Sequence, residues 1–258
     1  MFKMRKEQKD AFREEALLDF QRQMRGHLER FSPPHLQLLD DRQVDVVIQL
    51  GLQRAEPRGF TSARSIRYWI ETMFMLGSRF DEDPLLPWVG ASLANTSLTG
   101  QDVRIDDLCV RAWDHSSRVL DDYGRDAPSS GRFLAALRRI GDTPNEPLAP
   151  SDLPAFVERT TAWVRDLFPN RCACAGSAAV RSAIEHATEQ ATRYGVATER
   201  GALVLVAMIF LLGSRFDTDP LVPWAGAILR DPLPTSTPPQ RAQRLFDSAA
   251  ACLDLWWT

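Results

Sequence analysis

Four aspartates carry the clearest chemical potential in this sequence, and they occur in two nearly identical strings. Asp81 and Asp83 lie in the string RFDEDP, and Asp217 and Asp219 lie in the string RFDTDP. Two carboxylates that are two residues apart could bind a hard cation, because such ions take several oxygen ligands. Paired carboxylates could also serve as general acid and base in a catalytic site. A structural turn and a partner-binding surface are the two further alternatives.

The surroundings of these aspartates favour a structural turn. Neither string is followed by the glycine or the closing glutamate of an EF-hand. An aspartate before proline favours a turn, its side chain bonds nearby backbone N–H groups, and an arginine can clamp a carboxylate in a bidentate pair. The aromatic residues would anchor the turn, and a proline before each tryptophan would start a short helix. The motif residues for which we predict this role are Arg79, Phe80, Asp81, Asp83, Trp88, Arg215, Phe216, Asp217, Asp219 and Trp224.

The histidines and cysteines do not form a complete set of metal ligands or catalytic groups. When the two halves are aligned at an offset of 136 residues, no histidine has a histidine counterpart. Cys172 and Cys174 have the spacing of a metal half-site, but leucines occupy the matching positions, so packing in the core is the expected role. The sequence contains no glycine-rich phosphate loop, nucleophile elbow or HExxH string. We predict a protein that is not an enzyme and that uses no metal and no cofactor.

The elements that position the aspartates belong to an internal repeat. Residues 76–93 and 212–229 are identical at fourteen of eighteen positions, at the constant offset of 136. The alignment continues without a gap from Phe20 to Leu93, which excludes chance and indicates a repeated structural unit. A linker rich in proline, asparagine and aspartate separates the copies. We predict a first helical repeat with an extra C-terminal helix over residues 1–145 and a second repeat over residues 146–258.

The hydrophobic pattern predicts helices and no strands. Apolar residues recur at helical spacing, prolines and glycines interrupt the pattern, and no alternating strand pattern with hairpin signals occurs. The predicted helices cover residues 5–31, 41–55, 62–77, 102–123, 130–140 and 238–257. We therefore predict an all-α fold, in which a unit of about five helices is duplicated in tandem and the copies pack with pseudo-two-fold symmetry.

The two copies differ in the helix that precedes the motif. The first copy carries Arg67 and Glu71, which form an i,i+4 pair, and the second carries Leu203 and Ala207 at the matching positions. A helix that is apolar on every side is usually buried on every side. We therefore predict that Leu203 and Ala207 are buried, under the other half or under a partner, and that Arg67 and Glu71 are largely exposed.

Composition excludes several classes of partner. A net charge of -3 argues against a nucleic-acid-binding surface, which usually needs a concentrated basic face. The longest apolar run has eleven residues, well short of the roughly 20 that cross a bilayer, and no signal peptide is visible. Four cysteines without a disulfide framework fit a reducing compartment, so we expect a cytoplasmic protein. The apolar C-terminus, with Trp256 and Trp257, either closes the core or contacts a partner.

The repeated strings resemble a bacterial protein family. The pattern of a glycine and an apolar residue, then an arginine, an apolar helix and LGxRFDxDPLxPW, is similar to uncharacterised proteins encoded near spike and PAAR genes of type VI secretion clusters. Those proteins typically carry one copy, and this chain carries two, over Phe20–Leu93 and Phe156–Leu229. The resemblance implies a cytoplasmic accessory protein of a secreted toxin, without a settled activity.

Three functions are compatible with these observations. The first is a non-catalytic adaptor or chaperone that binds a type VI effector, a toxin, or a spike or PAAR component. The second is an immunity protein that blocks a cognate toxin, and the third is an enzyme with a carboxylate site at the repeated turns. An acidic patch at Asp106-Asp107 or Asp121-Asp122 would favour inhibition of a basic toxin. An apolar groove between the copies would favour an adaptor that holds a segment of its client.

Overall fold

The computed structural model describes residues 6–123, 139–143, 145–231 and 237–257. Throughout these residues the chain is helical, with no β-strand and one isolated antiparallel bridge between Pro147 and Thr198. The predicted all-α fold is therefore confirmed. Among the same residues, no helix has the length and apolar character that crossing a membrane requires.

The first half is built from helices whose ends follow the sequence signals. Its helices are α1 (Lys6–Phe31), α2 (Pro33–Leu38), α3 (Asp41–Ala55), α4 (Ala63–Leu76), α5 (Pro87–Leu93) and α6 (Gln101–Tyr123). Asp40 begins α3 with a capping box, in which its side chain and that of Gln43 each bond the other residue's backbone N–H. Ser62 caps α4 through the N–H of Ser65, which satisfies one of the free amides at the helix start.

The second half repeats this order of helices. Its helices are α7 (Leu153–Leu167), α8 (Pro169–Ala175), α9 (Ser177–Arg193), α10 (Glu199–Leu212), α11 (Pro223–Leu229) and α12 (Pro238–Trp257). Short 3-10 turns cover Glu56–Arg58, Phe80–Glu82, Pro150–Asp152 and Phe216–Thr218. The predicted helix 130–140 lies largely outside the described residues, of which 139–142 are helical. The side chains of Trp256 and Trp257 also lie outside the described set.

Two hydrophobic clusters form the interior of the molecule. The first-half cluster gathers side chains from α1, α3, α4, α5 and α6, with Trp69 and Phe80 fully buried. The second-half cluster is centred on α10 and includes Ile140, which precedes the predicted boundary at residue 145. Between the halves, α6 packs against α8. The two halves are thus in direct contact.

The predicted contrast between the two pre-motif helices is only partly correct. Ala207 is 1% exposed, whereas Leu203 is only half-buried. The prediction for Glu71 is wrong, because 13% of its side chain is exposed and it pairs with His27 at 2.7 Å as well as with Arg67 at 3.3 Å.

The alignment of the two copies shows why the pair of His27 and Glu71 is found in the first half only. The position of His27 carries Trp163 in the second half, so an imidazole–carboxylate pair is replaced by an indole beside Ala207. Leu203, Trp163 and Ile140 line one shallow depression on the second half. The segment before α7 therefore contributes to covering this face.

Candidate functional site

The two repeated turns have the same backbone conformation. Gly77 and Gly213 end their helices at φ 99° and φ 98°, and Asp83 and Asp219 have φ and ψ of -77°, 117° and -78°, 120°. A 3-10 turn lies between them in each copy, and a proline occupies the first position of the helix that follows. The repeated sequence therefore produces a repeated local structure.

The second aspartate of each turn bonds the backbone of the opposite turn. Oδ2 of Asp83 accepts from the N–H of Ser214 at 3.0 Å, and Oδ2 of Asp219 accepts from the N–H of Ser78 at 2.8 Å. The other oxygen of each carboxylate stays within its own turn and accepts from the N–H two residues later, at 2.9 Å and 2.8 Å. Each buried carboxylate thus joins two segments of the chain.

The glycine of each turn allows the turns to approach closely. A Cβ atom on Gly77 would lie 3.1 Å from the carbonyl oxygen of Leu212, and one on Gly213 would lie 3.1 Å from Oδ2 of Asp83. Both residues also have positive φ, which side chains other than glycine rarely adopt. Any larger residue at either position would push the two turns apart.

The leucine after each aspartate–proline pair crosses to the other half. Leu85, from the first turn, is fully buried in the second-half cluster. Leu221, from the second turn, is 4% exposed and belongs to the first-half cluster. Leu85 and Leu221 occupy matching positions in the two copies. Each half therefore contributes a leucine to the hydrophobic core of the other half.

The first aspartate of each turn has different partners in the two copies. Asp81 binds Arg54 at 2.5 Å and Arg58 at 2.9 Å. Asp217 instead accepts from the hydroxyl of Tyr194, which occupies the position of Arg58, at 2.5 Å. Burial, followed by the hydrogen bond to Asp217, raises the pKa of Tyr194 to about 12, so the hydroxyl keeps its proton. Both arrangements hold a 3-10 turn against the C-terminal end of α3 or of α9.

The motif arginines do not form the predicted clamps. Arg79 pairs with Glu82 at 3.4 Å, and the described residues offer Arg215 no ion pair. Burial raises the pKa of Asp219, while its two backbone hydrogen bonds and the positive charge of Arg79 act in the opposite direction. Arg79 therefore acts both on Glu82 of its own turn and on Asp219 of the other copy.

The aromatic motif residues lie in the two cores. Phe80 and Phe216 are 1% and 0% exposed, and Trp88 and Trp224 are half-buried against the clusters of their own halves. These side chains anchor the turns on the inside of the protein, so they offer little surface to a partner.

The geometry of the aspartates suits a structural joint better than a metal or catalytic site. The two carboxylates of each turn face different partners, and the oxygens of Asp83 and Asp219 are occupied by backbone N–H groups. Across the described residues, no group of three histidine, cysteine or acidic side chains could hold a metal ion. The hydrogen bonds from backbone N–H groups to Asp83 and Asp219, together with Leu85 and Leu221 in the opposite clusters, instead join the two halves.

Sequence reasoning missed an apolar groove on the first half. The groove has a volume of about 620 Å³ and lies between α1, α3 and the start of α4. Its lining includes Leu17, Phe20, Leu52, Phe60 and Ile66. Leu17, which lines the groove, is 37% exposed. All the lining residues belong to the first half, so this groove does not lie between the copies.

The signal for this groove was present in the alignment of the copies. Leu52, in the groove, matches Thr188, and Ile66 matches Ala202. The first half therefore carries larger apolar side chains at these positions, on a surface that α1 leaves uncovered.

Comparison of the chain with protein-family models, with curated proteins and with solved structures gave no match.

Proposed function

We propose that this protein is a non-catalytic adaptor or chaperone that binds a segment of another protein. The observation that carries the proposal is the open groove of about 620 Å³, which is lined mainly by apolar side chains and is large enough for several side chains of a partner. Binding pockets are typically concave and mostly apolar, with a few polar groups that orient the ligand. With the resemblance to proteins encoded beside spike and PAAR genes, the proposed partner is a type VI secretion effector, a toxin, or a spike or PAAR component, bound in the cytoplasm.

We also propose that the chain is a tandem duplication whose halves pack with pseudo-two-fold symmetry. The matching backbone angles of the two turns, the reciprocal bonds of Asp83 and Asp219, and the exchange of Leu85 and Leu221 all support this arrangement. On this proposal the repeated motif forms the joint between the halves, and the surfaces that have diverged between the copies are free to bind partners.

An immunity protein for a basic toxin receives less support. Asp106 pairs with Arg64 at 2.6 Å, and Asp107 pairs with Arg111 at 2.8 Å and accepts from the hydroxyl of Ser92. These carboxylates are therefore balanced by the protein's own arginines and do not form a free acidic patch. The enzyme alternative also receives less support, since the motif carboxylates bond backbone N–H groups or side chains of their own chain.

Co-purification with the products of neighbouring genes tests the proposal. We expect the wild type to capture an effector, spike or PAAR component and Leu17→Arg, which places a charge in the groove, to lose it. Leu18→Arg is the matched control, because Leu18 is the next residue on α1, is 56% exposed and lies outside the groove. Trp113→Arg tests a different apolar surface, on α6, where Trp113 is 70% exposed.

Two results would contradict the adaptor proposal. Capture that survives Leu17→Arg but is lost in Trp113→Arg would move the binding surface to α6. Rescue of cells from a co-expressed toxin, by direct binding to that toxin's active site, would favour the immunity alternative.

A further inference from the structure

The groove of the first half has a counterpart in the second half that the chain itself fills. At the offset of 136, the groove residues Phe20 and Ile66, which are half-buried, match Phe156 and Ala202, which are buried. Leu148, in the segment that leads into α7, packs against the same cluster. A segment of chain therefore covers the surface in the second half that is open in the first.

Main-chain hydrogen bonds hold this covering segment in an extended form. The N–H of Leu148 donates to the carbonyl of Ala197 at 3.1 Å, and the N–H of Glu199 donates to the carbonyl of Glu146 at 3.1 Å. Pro147 lies between them, opposite Thr198, in an antiparallel bridge. The bridge uses only the groups on either side of the proline, so the missing N–H of proline costs no hydrogen bond.

Within the described part of the chain, the matching backbone groups of the first half have no hydrogen-bond partner. The carbonyl of Thr61 and the N–H of Ala63 correspond to the groups of Ala197 and Glu199, and no hydrogen bond among the described residues uses either. Both residues are exposed. The neighbouring N–H groups of Thr61 and Ser62 are already bonded to Oε1 of Gln101, at 2.8 Å and 2.9 Å.

The difference between the halves arises in the chain before their first long helices. In the second half, α7 begins at Leu153 and is preceded by the extended segment and a 3-10 turn. In the first half, α1 extends back to Lys6, and Leu17, which matches Leu153, lies well inside it. Residues that match the covering segment are thus helical, and they cannot pair with the start of α4.

We propose that the first-half groove binds an extended segment of a partner protein in which a leucine directly follows a proline. Its leucine N–H donates to the carbonyl of Thr61, the carbonyl before its proline accepts from the N–H of Ala63, and its leucine side chain enters the groove. This inference rests on the proposed function and specifies the chemistry of the partner. Proline favours the extended conformation before binding, so less conformational entropy is lost, and the apolar lining selects the leucine.

A peptide taken from the chain itself is the probe. A fluorescent Asn-Glu-Pro-Leu-Ala-Pro peptide, residues 145–150, is titrated into the full-length protein and followed by fluorescence anisotropy. We expect saturable binding, which Leu17→Arg weakens at least tenfold and Leu18→Arg leaves unchanged. Replacing the peptide leucine by aspartate should abolish binding. Replacing it by N-methyl-leucine, which keeps the side chain but loses the N–H, should weaken binding roughly three- to tenfold.

Ala63→Pro removes the donor of the groove without disturbing its apolar lining. Ala63 is the first residue of α4, where proline is well tolerated, and Ser62 before it has φ -78° and ψ 148°, as a residue before proline requires. We expect Ala63→Pro to weaken the peptide roughly three- to tenfold through the lost hydrogen bond, and Ala63→Ser, which keeps the N–H, to bind as the wild type does.

The outcomes separate this inference from the proposed function. If a partner is captured through the groove but neither Ala63→Pro nor the N-methyl peptide changes affinity, the extended pairing is wrong and the adaptor function stands. If peptide binding is insensitive to Leu17→Arg, the peptide binds elsewhere and the inference is overturned. Concentration-dependent self-association of the wild type that Leu17→Arg abolishes would identify a second copy as the occupant, which also overturns it.

Discussion

The carboxylate of Asp83 accepts a hydrogen bond from the backbone N–H of Ser214, 131 residues further along the chain. The matching carboxylate, Asp219, accepts from the N–H of Ser78 in return. Each bond satisfies a buried amide that neither turn could satisfy by itself. The repeated string, which has the same spacing in both copies, therefore forms the joint between the two halves.

Replacement of either carboxylate by its amide should lower stability. In Asp83→Asn or Asp219→Asn, the NH₂ group of the new side chain cannot accept from one of the two backbone N–H groups. An unsatisfied buried N–H costs about 1–3 kcal/mol, so we expect a loss of that size in the free energy of unfolding, measured in urea. Asp102→Asn is the control, because this side chain is 65% exposed. Partner binding should survive wherever the variants fold.

A further variant, Asp81→Asn, tests the metal alternative. Mg²⁺, Ca²⁺ and Mn²⁺ should leave the melting temperature of the wild type and of Asp81→Asn unchanged. A metal that stabilised the wild type but not Asp81→Asn would show a cation site, since a ligand that binds the folded state raises its stability by mass action.

Alanine at the turn glycines should be strongly unfavourable. Gly77→Ala and Gly213→Ala would place a Cβ atom 3.1 Å from an oxygen of the opposite turn, on a backbone with positive φ. Strain of this kind costs of order 1–3 kcal/mol for each residue. Gly26→Ala is the matched control, because Gly26 lies inside α1 with no atom within 4 Å of the added Cβ. This control should gain roughly 0.5–1 kcal/mol of stability; equal effects at all three glycines would contradict the close approach of the turns.

Truncation of the exchanged leucines should destabilise both halves together. Leu85→Ala and Leu221→Ala each leave a cavity in the core of the opposite half, and such changes cost about 2–5 kcal/mol. Leu18→Ala, at an exposed position, should change stability by less than about 0.5 kcal/mol. We expect urea unfolding followed by fluorescence and by circular dichroism to give one coincident transition in the wild type. Two separate transitions would show that the halves unfold independently.

His115 should make the protein sensitive to acid. The side chain is on α6, is 5% exposed, and its ring lies 5.8 Å from that of Trp88. Burial, and then the charges of Arg171 and Arg118, lower the pKa of His115 to about 4. The unfolded chain therefore binds a proton that the folded protein does not, and stability falls as the pH decreases from 6.5 towards 4.

The measurement is the free energy of unfolding of the wild type and of His115→Gln across this pH range. A shift of this size corresponds to at most about 3 kcal/mol of stability, which the variant should not lose. Other acid-sensitive groups affect both proteins equally, so the difference between the two profiles isolates His115. Parallel profiles would show that His115 is protonated with its ordinary pKa in the folded state.

Much of the local structure followed from the sequence alone. Pro87 and Pro223 were predicted to start helices and do so, because proline acts through its own neighbouring backbone. The helical periodicity was equally informative, since an amphipathic stripe depends on spacing along a single segment.

Contacts between distant segments were decided by the tertiary structure. The sequence places Arg79 two residues before Asp81, but the arginines that bind Asp81 are Arg54 and Arg58. Both come from a segment that packs against the turn, and this packing is not visible in the local sequence. We expected Glu71 to be exposed, but its carboxylate pairs with His27, which lies on another helix.

The open groove is the clearest example of a feature that the sequence alone did not predict. Residues before Leu17 continue α1 as a helix, whereas residues before Leu153 form the extended cover of the second half, although the two copies align without a gap beyond these positions. Local pattern determined each helix, but whether a surface is covered depends on where the preceding chain packs. The free energy of burying apolar surface between distant segments decides where that chain packs. This free energy cannot be read from any single stretch of sequence.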